Sequence, residues 1–309
     1  MRIPSILGGP EPCFSFEFFP PKTEEGTKAL FESVADLHRL EPGFVSVTYG
    51  AAGSTRDGTV EVTTRIQHEY GIEAMAHLSV VGETVEGIET ILSRFADAGI
   101  ENVLALRGDP PRGETDFQPA PGGLRTSAEL AAFVRAYEPT EHFGIGASCF
   151  PEIHPEADSA EADIAFLKEK VDAGAEFLVS QLFFDNEVYF DWLAAVRDAG
   201  IEVPVIPGIL PIISREGLHR FCKVCDARIP ELLDEQLAAL GGDEDAERAF
   251  GIAYASRQCE QLLAAGAPGI HFFVLNRAAS VKAVLGALLA ARPWERAPIG
   301  AGREERRAG

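Results

Sequence analysis

Short apolar runs alternate along the chain with longer segments in which apolar residues return every three or four positions. The first run, residues 13–19, sets Phe14, Phe16 and Phe18 against Ser15 and Glu17, the period-two pattern of a strand. Further strand-length runs occupy 44–48, 73–78, 102–106, 143–150, 177–183, 203–207 and 269–275. Helical patterns fill the intervals. After Thr84, the residues Ile88, Ile91, Leu92 and Phe95 form one face, and Gly99 stops it. After Ser159, Ile164, Leu167 and Val171 form a stripe that ends at Gly174. Asp185 or Asn186 caps a helix carrying Trp192, Leu193 and Val196, closed by Gly200. The tripeptide Asp-Ala-Gly recurs at 97–99, 172–174 and 198–200, each time before a strand, as a helix-stop repeat.

Strands spaced by helices of this length predict parallel βαβ units. Eight such units in about 280 residues make an α/β chain with a single (β/α)8 TIM barrel. The barrel spans 13–292, with an extension at 1–12, a short helical insertion at 229–242 before the eighth strand, and a disordered tail at 293–309. A doubly wound sheet is the rival. It lacks support, because no strand is followed by GxGxxG and no GxxxxGK[ST] occurs; Gly144-Ile-Gly-Ala-Ser148 lies at a strand start.

Composition changes the picture in three ways. Apolar residues at 46% and charged residues at 24% suit a folded core. The 48 acidic side chains against 27 basic ones leave a net charge of −21, which argues against nucleic acid and anionic membranes as partners. The five cysteines are too few and too scattered for a disulfide framework. Cys222 and Cys225 have CxxC spacing without a second pair, and read as ordinary helix cysteines. The N-terminus lacks a signal-peptide pattern and no apolar stretch is long enough to span a membrane, so the expectation is a cytoplasmic protein.

In a barrel, chemistry belongs to the C-terminal ends of the strands. The polar residues there are Glu17, the segment Thr48-Tyr49-Gly50, His77, the segment Arg107-Gly108-Asp109, the segment 151–156 with His154, Gln181, and the pair Asn276-Arg277. Glu17 shares the inward face with Ser15. Among apolar walls its pKa rises and it becomes a general acid; alternatively it lies on a solvated face or is held by an internal Arg. Asp109 is either a turn cap or a carboxylate aimed at a ligand. His77 and His154 are either satisfied structural histidines or ligand contacts, and they lack a third partner at metal-binding spacing. Gln181 has an amide able to donate and accept in the plane of a flat heterocycle.

Seven segments occur in a familiar order: Phe14-Ser-Phe-Glu-Phe-Phe-Pro-Pro-Lys22, Phe44-Val-Ser-Val-Thr-Tyr-Gly50, Ala105-Leu-Arg-Gly-Asp109, Pro151-Glu-Ile-His-Pro-Glu-Ala157, Gln181-Leu-Phe-Phe-Asp185, Ile206-Pro-Gly-Ile-Leu-Pro211 and Leu275-Asn-Arg277. With them the chain resembles the bacterial methylenetetrahydrofolate reductases, flavin-dependent barrels, over about residues 13–292. The resemblance implies that FAD passes hydride from NAD(P)H to 5,10-methylenetetrahydrofolate, the two substrates using one site in turn. It implies Glu17 as general acid and Asp109 as the carboxylate near flavin and folate. Thr48, His77, Arg107, Gly108, Asp109, Phe150, His154, Asp163 and Lys170 then contact FAD, and Glu17, Gln181, Phe221 and Arg277 contact substrate. It also implies a homo-oligomer, no metal, and no S-adenosylmethionine control. Phe150 departs from the family, whose best-known bacterial members carry Tyr there, a lost hydrogen bond worth about 0.5–1.5 kcal/mol to FAD binding. Anionic ligands further call for a mouth kept positive by Arg107, Lys170 and Arg277. A folate- or flavin-binding subunit fed by a partner protein is the alternative. An aldolase-type barrel would need a strand-end Lys, and the six Lys lie elsewhere.

Overall fold

The computed structural model describes residues 1–49, 56–109, 117–137 and 143–295. Gly50 and the tail from 296 onward, both singled out by the sequence, lie outside the described residues. The first half runs α1 (Ile3–Leu7), β1 (Cys13–Phe18), α2 (Glu24–His38), β2 (Phe44–Val47), α3 (Arg56–Tyr70), β3 (Ala74–Ser79), α4 (Val85–Asp97), β4 (Asn102–Leu106), α5 (Ser127–Ala136) and β5 (Gly144–Cys149). The second half runs α6 (Ala160–Asp172), β6 (Phe177–Ser180), α7 (Asn186–Asp198), β7 (Val205–Ile206), β8 (Gly208–Ile209), α8 (Arg215–Cys225), α9 (Glu231–Ala238), α10 (Glu244–Ala264), β9 (Gly269–Phe273) and α11 (Ala278–Ala291).

All described strand pairs are parallel, in the order β7-β6-β5-β4-β3-β2-β1-β9-β8. This is a TIM barrel of eight staves, one of them broken. The sequence predicts one seventh strand at 203–207, and the structure holds two dipeptides on either side of Pro207. Proline has no N–H for the ladder. Its carbonyl still accepts from His271 N (2.9 Å), while Gly208 N donates to the Ser180 hydroxyl (2.9 Å). A Cβ on Gly208 would lie 2.3 Å from the Ser180 carbonyl oxygen, so the closure requires glycine there.

Local signals fix the helices. Thr84, Ser159 and Asp185 accept from the first-turn amides of Gly87, Ala162 and Glu187, which settles the cap of α7 on Asp185. Gly99, Gly174 and Gly200 end their helices at positive φ. Within the stretch 229–242 before the last strand lies α9, and α10 begins just beyond it. Phe14, Phe16 and Phe18 face the helical layer, in one core with Leu30, Val34 and Leu285. A second core lies between β3–β5 and α4–α5, around Ile88, Leu92 and Phe95.

The barrel floor is closed by the N-terminal extension. Ile3 and Leu7 of α1 cluster with Cys13, Phe44, Met75, Leu104, Phe177 and Ile206. Asn102 latches this helix: its Oδ1 accepts from Ile3 N (2.8 Å), and its Nδ2 donates to the Met1 carbonyl (3.0 Å) and Glu73 (2.8 Å). With the floor filled, the open end is the C-terminal mouth. At the other terminus, Trp294 packs on Phe14 (5.8 Å between centroids), so residues 293–295 belong to the folded body.

Candidate active site

A cavity of about 970 Å³ opens at the mouth, at the upper end of the range for small-molecule sites. Strand ends and the loops after them supply its walls. Glu17 comes from β1, Thr48 from the end of β2, His77 from β3, and Arg107, Gly108 and Asp109 from the turn after β4. Phe150 and His154 follow β5, Asp163 and Lys170 lie on α6, Gln181 follows β6, and Phe221 lies on α8. Thus β1 to β6 and one helix beyond bring twelve of the sequence-selected residues to one space. Arg277 is the exception: it is exposed at the N-terminal end of α11 and is not part of the cavity lining.

Glu17 is buried, at 8% exposure, in a polar cradle inside the barrel. Pairing of β1 with β2 and β9 sets Glu17 beside Ser46 and Ser15 beside His271. One carboxylate oxygen, Oε2, lies 3.3 Å from His77 Nε2, 3.5 Å from His271 Nε2 and 3.4 Å from the Ser46 hydroxyl. His271 is itself held by Ser15, whose hydroxyl lies 2.8 Å from Nδ1. His77 Nε2 is close to the carboxylate without the alignment of a hydrogen bond, which leaves it a buried nitrogen without a hydrogen-bond partner. Burial by itself raises a carboxyl pKa, and the sequence reading of Glu17 rested on that. The structure reverses the direction: the hydrogen bond from His271 and the close approach of the His77 imidazole outweigh desolvation and hold Glu17 down at about 2. At neutral pH Glu17 is therefore a carboxylate.

The turn after β4 depends on its glycine. Gly108 has φ +85°, and a Cβ there would meet the Ser79 hydroxyl at 2.1 Å and Val81 Cγ1 at 2.7 Å. Ser79 also donates to the Arg107 carbonyl (2.9 Å), tying β3 to this turn. Arg107 pairs through both terminal nitrogens with Glu156, a charge-assisted contact that raises its pKa. Its guanidinium stands 5.3 Å over Phe117.

The loop after β5 fixes His154. Its backbone N–H donates to Asp163 (3.0 Å), and its Nδ1 accepts from Glu156 N (3.1 Å). A neutral ring then carries its proton on Nε2. Burial lowers the His154 pKa, favouring that neutral form. The Phe150 ring meets it edge-on at 4.6 Å. The preceding residue, Ile153, has φ +71°, a conformation that is costly for a β-branched side chain and places His154 on the cavity side. Lys170 is buried, donates to the Ser148 carbonyl (2.9 Å) and lies over Phe166 (5.0 Å); burial lowers its pKa. Gln181 accepts from Leu182 N through Oε1 (2.9 Å).

Sequence reasoning missed Ser46 and His271 in the cradle, and Phe117, Phe166, Arg125 and Cys225 in the wall. His271 carried a signal: it is a lone polar residue inside the apolar run of β9. The positive mouth is also corrected. Among the described residues Glu17, Asp109, Glu156, Asp158 and Asp163 face the cavity against Arg107, Arg125 and Lys170, and Arg107 is already paired. The loops that wall the cavity are themselves acidic.

A barrel floored by its own N-terminus, with a cradled carboxylate under one large mouth cavity, defines a class: a TIM-barrel protein whose chemistry lies at the C-terminal strand ends. Residues 2–288 match the family described as methylenetetrahydrofolate reductase. The chain belongs to that family. It is 38% identical over 264 residues to 5,10-methylenetetrahydrofolate reductase of Salmonella typhimurium, covering 85% of this chain and 86% of that one. It is 39% identical over 284 residues to methylenetetrahydrofolate reductase (NADH) 1 of Arabidopsis thaliana, covering 89% of this chain. The chain spans about half the length of the plant relatives it matches, 48% in that case. Among solved structures it resembles an uncharacterized Clostridium thermocellum protein that binds two copies of 5-methyl-5,6,7,8-tetrahydrofolic acid. That likeness has a TM-score of 0.65 at 16% identity, covers 94% of this chain and 98% of that one, and concerns the fold.

Proposed function

We propose that this chain reduces 5,10-methylenetetrahydrofolate to 5-methyltetrahydrofolate with hydride from NAD(P)H carried by FAD, as a homo-oligomeric cytoplasmic enzyme of one-carbon and methionine metabolism. The observation that carries the reading is the Glu17 cradle beneath a large mouth cavity, in a member of this family.

The residues present fit a flavin dinucleotide. The buried ammonium of Lys170 and the neutral Nε2–H of His154 suit an anionic, hydrogen-bonding ligand, and the buried His77 nitrogen has donor or acceptor capacity to spare. Gly108 keeps the turn after β4 packed against Ser79 and Val81, which holds Arg107 and Asp109 at the cavity wall. Thr48, His77, Arg107, Gly108, Asp109, Phe150, His154, Asp163 and Lys170 would hold the cofactor; Phe150 offers only its ring where a Tyr would add a hydroxyl. When bound, FAD accepts hydride from the nicotinamide and returns it to folate.

The chain's own work is proton handling. The folate ring opens only if its leaving nitrogen gains a proton, and the resulting iminium is a cation. Glu17 is ionised while water reaches the mouth. A flat substrate laid over it, with Phe221 and Gln181, removes that water and raises its proton affinity. His77 and His271 are the groups in contact with it that can hold the needed proton. Asp109, at the mouth, offers its negative charge to the iminium. Arg277 stands on the rim, a contact for the anionic tail of the folate.

An anaerobic titration tests the reading. FAD-loaded protein should bleach with NADH and regain its colour with methylenetetrahydrofolate. Well-folded protein that takes up no flavin overturns it. Folate reduction with an artificial donor but none with NADH or NADPH would point to a subunit fed by a partner.

A further inference from the structure

The β1–β9 seam ends in a substitute for a strand pair. Up to Glu17 the two strands are joined by backbone bonds, the last being Val274 N to the Glu17 carbonyl (3.3 Å). Leu275 and Asn276 then turn left-handed, with φ +52° and +56°, and leave the sheet. Phe19 is thereby deprived of its neighbour, and the Pro20-Pro21 pair after it has no N–H to offer. The Asn276 carboxamide fills the gap. Phe19 N donates to Oδ1 (3.0 Å), and Nδ2 donates to the Phe19 carbonyl (3.0 Å), both bonds a backbone partner would have made. Ser33 of α2 donates to the Asn276 carbonyl (3.0 Å).

The residues on either side of this clamp give it significance. Phe19 is on the same strand face as Glu17, is 38% exposed and lines the cavity above the carboxylate. Arg277 follows Asn276 directly, its N–H on the Val274 carbonyl (3.0 Å). One amide therefore sets the spacing between the strand that carries the acid and the cation on the rim. Among the described residues no cofactor-side residue bonds to the Asn276 carboxamide itself; Thr48 reaches only the Phe18 carbonyl beside it (2.9 Å). We infer that Asn276 is a positioning residue for the folate half of the reaction, holding the end of β1 so that Glu17 meets its substrate in register. This rests on the reductase reading.

The test compares the wild type with Asn276→Ala, Asn276→Asp and Ser33→Ala, all loaded with FAD. Anaerobic stopped flow measures flavin reduction by NADH and reoxidation by methylenetetrahydrofolate across pH. Hydrogen exchange measures the Phe19 amide. Asn276→Asp keeps the acceptor but sets a carboxylate against the Phe19 carbonyl; it also stands in if the alanine variant fails to fold. Both Asn276 variants should slow the folate step by about tenfold or more, since small misplacements near a reacting centre cost that much. They should shift its pH profile, speed exchange at Phe19 and leave the NADH step unchanged. Ser33→Ala should change neither step. Equal slowing of both steps, or an unchanged folate step, overturns the inference. Wild-type protein that is reduced by NADH but never reoxidised by folate overturns the functional reading instead. The exchange arm needs no folate and still decides the clamp, with unchanged exchange in Asn276→Ala refuting it.

Discussion

Glu17 shows how the environment of one residue sets its chemistry. Glu17→Gln should keep flavin reduction by NADH, which needs no acid, and lose about 10²- to 10⁴-fold in the folate step, the usual range for a missing general acid. Equal loss in both steps, read by stopped flow, would sink the acid role. The low pKa also makes a stability statement. A carboxyl whose folded pKa is about 2, below its ordinary value of 4.5, adds stability that is complete above about pH 4.5 and disappears as the pH falls towards 2. The urea midpoint should therefore fall as the pH drops between those limits in the wild type, and fall less in Glu17→Gln. At Gly108 the expectation is simpler. Gly108→Ala combines a positive φ with contacts far inside van der Waals distance, and should lose at least about 2 kcal/mol in urea denaturation. Sequence pattern could place Glu17 on the inward face, because alternation is local. It could not give the direction of the pKa shift, because His77 and His271 arrive from strands far away in the chain.

Among elements, the local signals were sufficient wherever the chain obeyed them. Caps and glycine stops marked α4, α6 and α7 to within a residue or two. The sequence run at 177–183 overreached, since the strand ends at Ser180. Gln181 folds back on Leu182 N, while Phe183 stacks on Tyr189 at 4.9 Å and Phe184 joins the core under the inserted helices. Apolarity continues there, but it serves a different layer. The short α1 was read only as an extension, because five residues give no helical periodicity; its role comes from tertiary contact with the barrel floor. Asn102→Ala removes three bonds at that floor and should cost about 2–4 kcal/mol in chemical denaturation while leaving the mouth chemistry intact. A matching loss of activity at full occupancy of the folded state would show that floor and mouth are coupled.

For the whole molecule, the net charge of −21 is a liability to the folded state and to anionic ligands alike. The melting temperature should rise as sodium chloride increases from about 0.05 to about 0.5 M, because screening weakens self-repulsion. A flat or falling melting curve would mean that the excess acid is spread too thinly to matter. The acidic lining of the cavity predicts a second outcome. Among the described residues an extra phosphate meets five carboxylates there and no unpaired cluster of cations, so NADH should outperform NADPH in kcat/KM, with the gap narrowing as salt is added. The fold class was legible in the sequence because eight strand–helix repeats are a one-dimensional signal. The balance of charge at the mouth was not, since it depends on which loops converge. That convergence has a consequence in time as well as space. Most neighbouring staves are also neighbours in the chain, but Ser15 and His271 are separated by 256 positions. During synthesis the strand that carries Glu17 leaves the ribosome well before the second imidazole of its cradle. A nascent chain therefore carries Glu17 with an incomplete cradle, and closing the barrel between β1 and β9 and completing the cradle are one event.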